Sequence, residues 1–168
     1  MNKDNTSILY KGPIFSIVRT ELELNGKMVD RDVLVHSGGA GILALQDGKV
    51  LMVRQKRAGS GREMIEIPAG MIDGNEDPKQ TALRELNEET GYEAEKIELI
   101  ISFYPTPGYD SERLFIYRAT GLAPAKKRLE MDADEEIDLF WMDLDEAKAK
   151  VFNGEIEDAK TIIALLMA

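Results

Sequence analysis

The sequence predicts an α+β fold, in which one mixed sheet carries helices on its faces. Three observations support this class. Short apolar or alternating segments of strand length fill most of the first 67 residues, one strongly capped helix follows, and two helical segments close the chain after further strands. The 168 residues contain no internal repeat, low-complexity run or interdomain linker, which favours a single domain.

A β-hairpin is predicted at the start of the chain. Residues 8–10 and 14–24 alternate enough to suggest strands, and the Asn-Gly pair at 25–26 is a strong hairpin signal that leads into 28–36. The glycine-rich stretch 37–41 follows. We interpret it as a turn rather than a phosphate-binding loop, because no helical pattern follows it and it lacks Gly-Lys-Ser/Thr.

Two apolar segments, 41–45 and 50–55, flank a turn at 46–48 and predict central strands. Another short strand is expected at 65–67. A cluster of cations lies at the end of the second apolar segment: Arg54, Lys56 and Arg57. The cluster marks either a solvated strand end or an anion site that faces the acidic helix further along the chain.

A capped helix is predicted from about residue 78 to 90. Asp77 suits the N-cap, Pro78 the first helical position and Gly91 the left-handed C-cap. Gln80 stands where it can close a capping box with Asp77. The signals at both ends therefore agree on one short helix.

This helix carries three glutamates on one side. At about 100° per residue, Glu85, Glu88 and Glu89 project within one sector. Like charges at i,i+4 spacing destabilise a helix by roughly 0.2–0.5 kcal/mol per pair, so a counter-charge is expected among them. Arg84 relieves part of the repulsion, and a hard divalent cation would relieve more. The alternative is a solvated acidic face.

Beyond this helix the pattern predicts strands, a turn-rich loop and two more helices. The expected elements are strands at 97–104 and 113–118 with a turn-rich loop at 105–112, an exposed loop at 123–137, a strand at 138–142, and helices at 144–152 and 157–166.

Composition limits the possible functions. The chain has 21 basic and 31 acidic side chains, a formal charge of −10, which disfavours a nucleic-acid polymer or an anionic membrane as partner. The absence of cysteine excludes disulfides, thiolate zinc sites and a cysteine nucleophile. No signal-peptide h-region or membrane-length apolar run is present, so we expect a soluble, cytoplasmic protein.

One long motif has many fixed positions. It reads Gly70, five residues, Glu76, seven residues, then Arg84-Glu85-Leu86-x-Glu88-Glu89-x-Gly91-Tyr92. This pattern resembles the Nudix box of the Nudix hydrolase family, in which a loop-helix-loop binds magnesium and a diphosphate. The one departure is Tyr92, at a packing position where an aliphatic residue is usual. The resemblance implies an α/β/α sandwich.

The resemblance also implies roles for residues of the box. It makes Glu85 and Glu89 the principal metal ligands, Glu88 an additional ligand, and Ala69 the donor of a backbone carbonyl. The metal would be Mg²⁺, with Mn²⁺ as an alternative. Arg84 matches a position that, with Glu76, orients the loop and the helix.

Outside the box, the chain is similar to the ADP-ribose pyrophosphatases of this family. The similarity rests on Thr106-Pro107-Gly108, Val53-Arg54-Gln55-x-Arg57, Glu66-Ile67-Pro68-Ala69-Gly70 and the stretch 154–161. In such enzymes a glutamate of the loop that carries Pro107 and Gly108 is the catalytic base. Glu112 takes that place, with Asp110 as the second choice.

The same similarity implies substrate contacts. Arg57 would contact a phosphate, Arg31 would reach the partner's site in a homodimer, and Glu66 would either contact the nucleoside or merely end a strand. Pro107 and Gly108 would belong to the substrate-binding loop. We expect His36, Phe140 and Trp141 to be structural, the two aromatic residues as part of the core.

The implied activity is hydrolysis of ADP-ribose, or of a similar nucleoside diphosphate sugar, to AMP and ribose 5-phosphate. The alternatives are another nucleoside diphosphate substrate, such as GDP-mannose or a dinucleotide, and a non-catalytic domain that senses a nucleotide. The implied assembly is a homodimer with exchanged N-terminal strands. Residues 1–38 would form the dimerising extension and residues 39–168 the hydrolase domain.

Overall fold

In a computed structural model, which describes residues 6–131 and 136–168, the strands form two separate sheets. The N-terminal sheet is antiparallel and consists of β1 (Ser7–Lys11), β2 (Ser16–Leu24) and β3 (Lys27–Val35). The predicted hairpin between β2 and β3 is confirmed, because Asn25 and Gly26 both adopt positive φ, at 53° and 74°. That geometry is typical of a two-residue hairpin turn.

The second sheet has seven strands within the described residues and is mixed. Its strand order is β10-β5-β4-β9-β8, with β6 paired to β5 and β7 paired to β4. The pairing of β4 with β9 is parallel and the others are antiparallel. The strands are β4 (Gly39–Gln46), β5 (Lys49–Arg57), β6 (Arg62–Glu66), β7 (Ala69–Met71), β8 (Tyr92–Phe103), β9 (Leu114–Pro124) and β10 (Ile137–Asp143).

Helices cover both faces of this second sheet. On one face, α1 (Pro78–Thr90) packs Ala82 and Leu86 against the β4 residue Ile42. On the other face, α2 (Leu144–Phe152) and α3 (Ala159–Leu166) pack against Leu43. Neighbouring side chains of β4 point to opposite faces, so this central strand is buried on both sides. The α+β class and the α/β/α sandwich are thus confirmed.

Helix α1 has the predicted ends and the predicted cap residues Asp77 and Gly91, and only the contact expected of Gln80 differs. The Asp77 carboxylate accepts the Lys79 N–H at 2.9 Å, and Gly91 ends the helix with φ of 72°. Gln80 is exposed and donates its backbone N–H to the Asp77 carbonyl at 2.8 Å. The side-chain capping box predicted for Gln80 was therefore wrong.

Other boundaries differ because tertiary pairing decides them. Strand β8 begins at Tyr92, five residues earlier than predicted, because its charged first residues pair with the end of β9. Ala69–Met71 forms a further short strand against β4, which the sequence pattern did not predict. Helix α3 begins at Ala159 after the N-cap Asp158. The predicted loop 123–137 overlaps the end of β9 and lies partly outside the described residues.

The start of α3 is tied to the connection between β6 and β7. The Asp158 carboxylate accepts the Thr161 N–H at 3.0 Å and the Thr161 hydroxyl at 2.6 Å. The Thr161 hydroxyl oxygen in turn accepts the buried Ile67 N–H at 2.9 Å. This chain of bonds fixes the first turn of α3, and with it Lys160, beside the segment that leads into α1.

No helix within residues 6–131 and 136–168 has the length and apolar character needed to cross a bilayer.

Candidate active site

One large cavity collects most of the predicted site residues. Its volume is about 840 Å³, within the range of small-molecule sites. The walls come from α1, from strands β4, β5 and β7, from the loop before β9 and from the start of α3. The cavity is therefore lined by α1 from one face of the large sheet and by the start of α3 from the other.

The first wall is acidic and belongs to α1. Glu85 and Glu89 are buried, with 6% and 3% of their surface exposed. Gly70 lies so close to Glu85 that a Cβ added to the glycine would stand 1.9 Å from Oε1 of Glu85. Gly70 is thus required by the close approach of this carboxylate to the backbone of β7.

Arg84 is the counter-charge of this wall. Its Nη1 donates to Oε1 of Glu85 at 2.7 Å and to Oε2 of Glu88 at 2.8 Å. Its Nη2 donates to the Met71 carbonyl at 3.0 Å and to Oε2 of Glu76 at 3.3 Å. Arg84 therefore connects the loop before α1 with the acidic face of the helix.

These contacts shift the pKa of the groups involved. Burial alone would lower the pKa of Arg84, but the charges of Glu85 and Glu88 and the hydrogen bond to Glu76 outweigh burial and raise it. Burial alone would raise the pKa of Glu76, but hydrogen bonds from Thr81 and Arg84 lower it. The guanidinium and this carboxylate are therefore both held in their charged forms at neutral pH.

Glu89 joins the helix to the backbone next to Gly70. Its Oε2 accepts the Ala69 N–H at 3.1 Å. The three box glutamates and the Ala69 carbonyl supply hard oxygen donors, the ligand type that Mg²⁺ and Mn²⁺ prefer. Among the described residues, no three His, Cys, Asp or Glu side chains are already grouped around one cation position. The donor chemistry fits a divalent cation, which would compete with Arg84 for Glu85 and Glu88.

The second wall carries cations around a buried acid. The Glu66 side chain is 2% exposed, and its carboxylate accepts Nε and Nη2 of Arg57 at 2.8 and 2.7 Å. Nζ of Lys160 also donates to Glu66. Burial would raise the pKa of Glu66, but the bonds from Arg57 and the charge of Lys160 hold it below its ordinary value. Glu66 is the last residue of β6, and a strand end was one of the two alternatives predicted for it. Its carboxylate orients Arg57.

The loop that carries Glu112 forms a third part of the cavity. Glu112 lines the cavity, whereas Asp110 turns back and accepts the Glu112 N–H at 2.8 Å. Nδ1 of His36 lies 3.7 Å from Oε1 of Glu112. Burial raises the pKa of Glu112 above its ordinary value, with the charge of Asp110 adding to the rise and His36 and Lys160 opposing it. Of the two candidate bases, the structure therefore places Glu112 at the cavity.

Some predicted residues do not line this cavity, and among them are the buried acids Glu66 and Glu89. Arg31 lies exposed in the N-terminal sheet, where Nη1 donates to the Asp30 carbonyl at 2.8 Å. Pro107 and Gly108 are exposed at the tip of their loop, and Pro105 of the same loop lines the cavity instead. Of the cation cluster, Arg54 is 5.3 Å from the ring centroid of Phe140, outside the cavity wall.

Sequence reasoning missed several cavity residues. His36 was predicted to be structural, but it lines the cavity, and its Nδ1 also accepts the Gly38 N–H at 3.0 Å. Lys160 and Asp158 line the cavity as well. Their signal was present in the stretch 154–161, which resembled the family without a role for either residue. Phe140 and Trp141 are partly buried against the two core clusters, in agreement with their predicted core role.

A family model described as the NUDIX domain matches residues 35–165. The chain belongs to the Nudix family. The fixed residues of its box include the glutamates of the acidic wall, together with Arg84 and Gly70.

Individual proteins resemble this Nudix chain over most of its length. It is 38% identical to the methanol dehydrogenase activator of Bacillus methanolicus over 162 residues. The aligned part covers 95% of this chain and 88% of that protein. The chain is 38% identical over 159 residues to the ADP-ribose pyrophosphatase of Bacillus subtilis (strain 168), with 94% and 86% covered. The crystal structure of an ADP compounds hydrolase matches the fold with a TM-score of 0.82 at 22% identity, covering 97% of this chain and 89% of that one.

The contact between Gly70 and Glu85 can be tested with Gly70→Ala. The new methyl group must displace the Glu85 carboxylate, which is the end of a flexible side chain, so the fold should tolerate the change. We expect catalytic turnover to fall on the order of 100-fold, with a loss of unfolding free energy of about 1 kcal/mol or less. Steady-state kinetics measures the turnover, and urea denaturation measures the free energy of unfolding.

Gly59→Ala is the matched control for this substitution, because nothing lies within 4 Å of a Cβ added there. It should leave turnover unchanged. Wild-type turnover in Gly70→Ala would show that the position of Glu85 does not matter for the chemistry.

Proposed function

We propose that this chain is a metal-dependent Nudix hydrolase that cleaves the diphosphate of ADP-ribose to AMP and ribose 5-phosphate. The observation that carries the proposal is one cavity that is lined by Glu85 and Glu88 of the box, by the cation Arg57 and by the half-buried acid Glu112. The likeness to the ADP-ribose pyrophosphatase of Bacillus subtilis supports the choice of substrate. Nudix hydrolases as a class depend on a metal ion, generally Mg²⁺.

Glu85, Glu88, Glu89 and the Ala69 carbonyl would hold the Mg²⁺ or Mn²⁺ ion. When bound, such an ion would neutralise part of the negative charge of the diphosphate and lower the pKa of a water molecule bound to it. Arg57 contributes a guanidinium whose orientation is fixed by the two bonds to Glu66. Its remaining N–H groups are available to phosphate oxygens, which guanidinium groups bind well.

Glu112 takes the proton from the attacking water in this proposal. Its position on the cavity wall and its partial burial suit a general base, since burial brings the pKa closer to the operating pH. Asp110 keeps the backbone of Glu112 in place through the bond to its N–H. The base and the metal-binding glutamates therefore come from separate elements of the fold.

We also propose a cytoplasmic homodimer that forms through the N-terminal sheet, with Arg31 reaching the partner's cavity. Supporting this, strands β1 to β3 and their connections carry exposed apolar side chains: Ile8, Leu9, Tyr10, Ile14, Leu22, Leu24 and Met28. Patches of this kind on a soluble protein mark interaction sites. Sedimentation velocity tests the assembly, and a monomer at micromolar concentration would contradict it.

The activity is tested with a substrate panel of ADP-ribose, GDP-mannose and a dinucleotide, with Mg²⁺ and with EDTA. We expect Mg²⁺-dependent release of AMP and ribose 5-phosphate from ADP-ribose. Glu85→Gln should lower the rate about 100-fold or more, since metal-assisted charge stabilisation contributes several kcal/mol. Glu63→Gln, an exposed change on β6, is the control and should have no effect.

Two results of the panel would count against the proposal. Preferential turnover of GDP-mannose would contradict the choice of substrate. If no diphosphate were hydrolysed, a non-catalytic nucleotide sensor would explain the chain better.

The pH profile tests Glu112. A base must be ionised, so kcat/KM should fall as pH falls through a pKa above the ordinary 4.5 of a glutamate. Glu112→Gln should remove this acidic limb and lower the rate by about 10²- to 10⁴-fold, while Mg²⁺ binding stays intact. Because the pKa of Glu112 is raised in the folded state, its ionisation opposes folding, and this variant should not lose stability at pH 7.

Asp110→Asn is the comparison for this test, since the asparagine carbonyl oxygen can still accept the Glu112 N–H. It should retain most of the activity. A fast Glu112→Gln variant together with a slow Asp110→Asn variant would assign the base to Asp110 instead.

A further inference from the structure

Lys160 is a partly buried cation on the cavity wall to which the catalytic scheme gives no role. It is the second residue of α3, and its side chain is 12% exposed. Nζ donates to Oε2 of Glu66 and to Oδ2 of Asp158, the latter at 3.0 Å. The position of Lys160 is well fixed, because Asp158 caps α3 and Thr161 bonds to the Ile67 N–H.

The hydrogen-bonding capacity of Lys160 is not used up by these contacts. An ammonium group has three N–H donors and no acceptor. Two donors are accounted for by Glu66 and Asp158. Since the residue lines the cavity, the third donor is available to an acceptor inside it.

The charges of this wall favour an anionic ligand. Glu66 contacts two cations, Arg57 and Lys160, and Lys160 also contacts Asp158. With Lys56, which lines the same wall, three cations stand against two acids, a net charge of 3 − 2 = +1. The Asp158 carboxylate is also engaged with the N-terminal turn of α3. In a chain with a formal charge of −10, such a cationic wall is where an anion would gain most.

Lys160 also acts electrostatically on Glu112, in the third part of the cavity. Burial raises the pKa of Glu112, and the positive charge of Lys160 opposes that rise. The ammonium group is therefore electrostatically coupled to Glu66, the acid that it contacts, and to Glu112, the proposed base.

We propose that Lys160 is a substrate-binding residue, which donates its third N–H to a phosphate oxygen and forms a two-cation clamp with Arg57. Glu66 is then the positioning residue that holds both cations, opposite the acidic wall of α1. This inference rests on the proposed function for the identity of the ligand. The competing explanation is that Lys160 only neutralises Glu66 and stabilises the fold.

The two explanations differ in what Lys160→Met does to phosphate affinity. The test is isothermal titration of the full chain, in Mg²⁺, with α,β-methylene-ADP, whose P–C–P bridge resists hydrolysis, and with adenosine, which has no phosphate. We expect Lys160→Met to weaken α,β-methylene-ADP binding about tenfold or more, the loss typical of one charge-assisted hydrogen bond. Adenosine affinity should be unchanged, and Lys160→Arg should restore part of the lost affinity.

Lys150→Met is the matched control, because Lys150 is also partly buried and contacts two acids, Glu146 and Glu155, away from this cavity. It should leave both affinities at the wild-type value. The proposal is overturned if Lys160→Met keeps α,β-methylene-ADP affinity within about threefold of the wild type, if both ligands weaken equally, or if the wild type does not bind α,β-methylene-ADP. Failure of the proposed function would appear separately, as a wild type that binds this probe but does not hydrolyse ADP-ribose.

Discussion

The burial of two carboxylates on α1 is the constraint on which the site depends. Glu85 and Glu89 are almost inaccessible, and a buried charge is tolerated only where hydrogen bonds and opposite charge replace water. Arg84 meets this need for Glu85, and the Ala69 N–H meets it for Glu89. Both partners require the segment Ala69–Met71 to lie against the helix. That segment in turn pairs with β4, so the electrostatics of the helix and the register of the sheet support each other.

The second wall of the cavity also pairs its buried charge with opposite charges, but here one acid lies between two cations. Glu66 is a buried anion that contacts two cations, Arg57 and Lys160, and its carboxylate holds both of them in place. Each network stabilises the fold through some of its donors and presents the others to the cavity. The acidic wall, proposed to bind a metal ion, and the second wall, proposed to bind phosphate, thus line one cavity in a chain with a formal charge of −10. In the proposed function, the same side chains therefore carry structural and functional roles.

Local patterns in the sequence predicted most of the fold, and about half of the predicted site residues line the cavity. The turn at Asn25-Gly26, the ends of α1 and the spacing of the box depend on residues close in the chain, so they were visible in the sequence. Lys160 and Glu66 are 94 residues apart, and His36 meets the Glu112 loop across about 75 residues, so no local pattern could pair them. The early start of β8 was missed because its first residues are charged, and only pairing with β9 makes them a strand.

The N-terminal sheet takes part in the site through the loop of Glu112. The Leu34 N–H donates to the Tyr109 carbonyl at 2.7 Å, and the Ser111 N–H donates to the Leu34 carbonyl at 2.9 Å. The His36 N–H adds a bond to the Ser111 hydroxyl at 3.0 Å. The end of β3 therefore holds the loop of the proposed base, while the large sheet and its helices hold the two walls that are proposed to bind metal and phosphate. A boundary at residue 38 separates the two sheets, but removal of β3 would release the loop of the proposed base from its backbone partners. Any rearrangement of the N-terminal sheet, including its association with a second copy, must either preserve these three bonds or move Glu112 relative to the rest of the cavity.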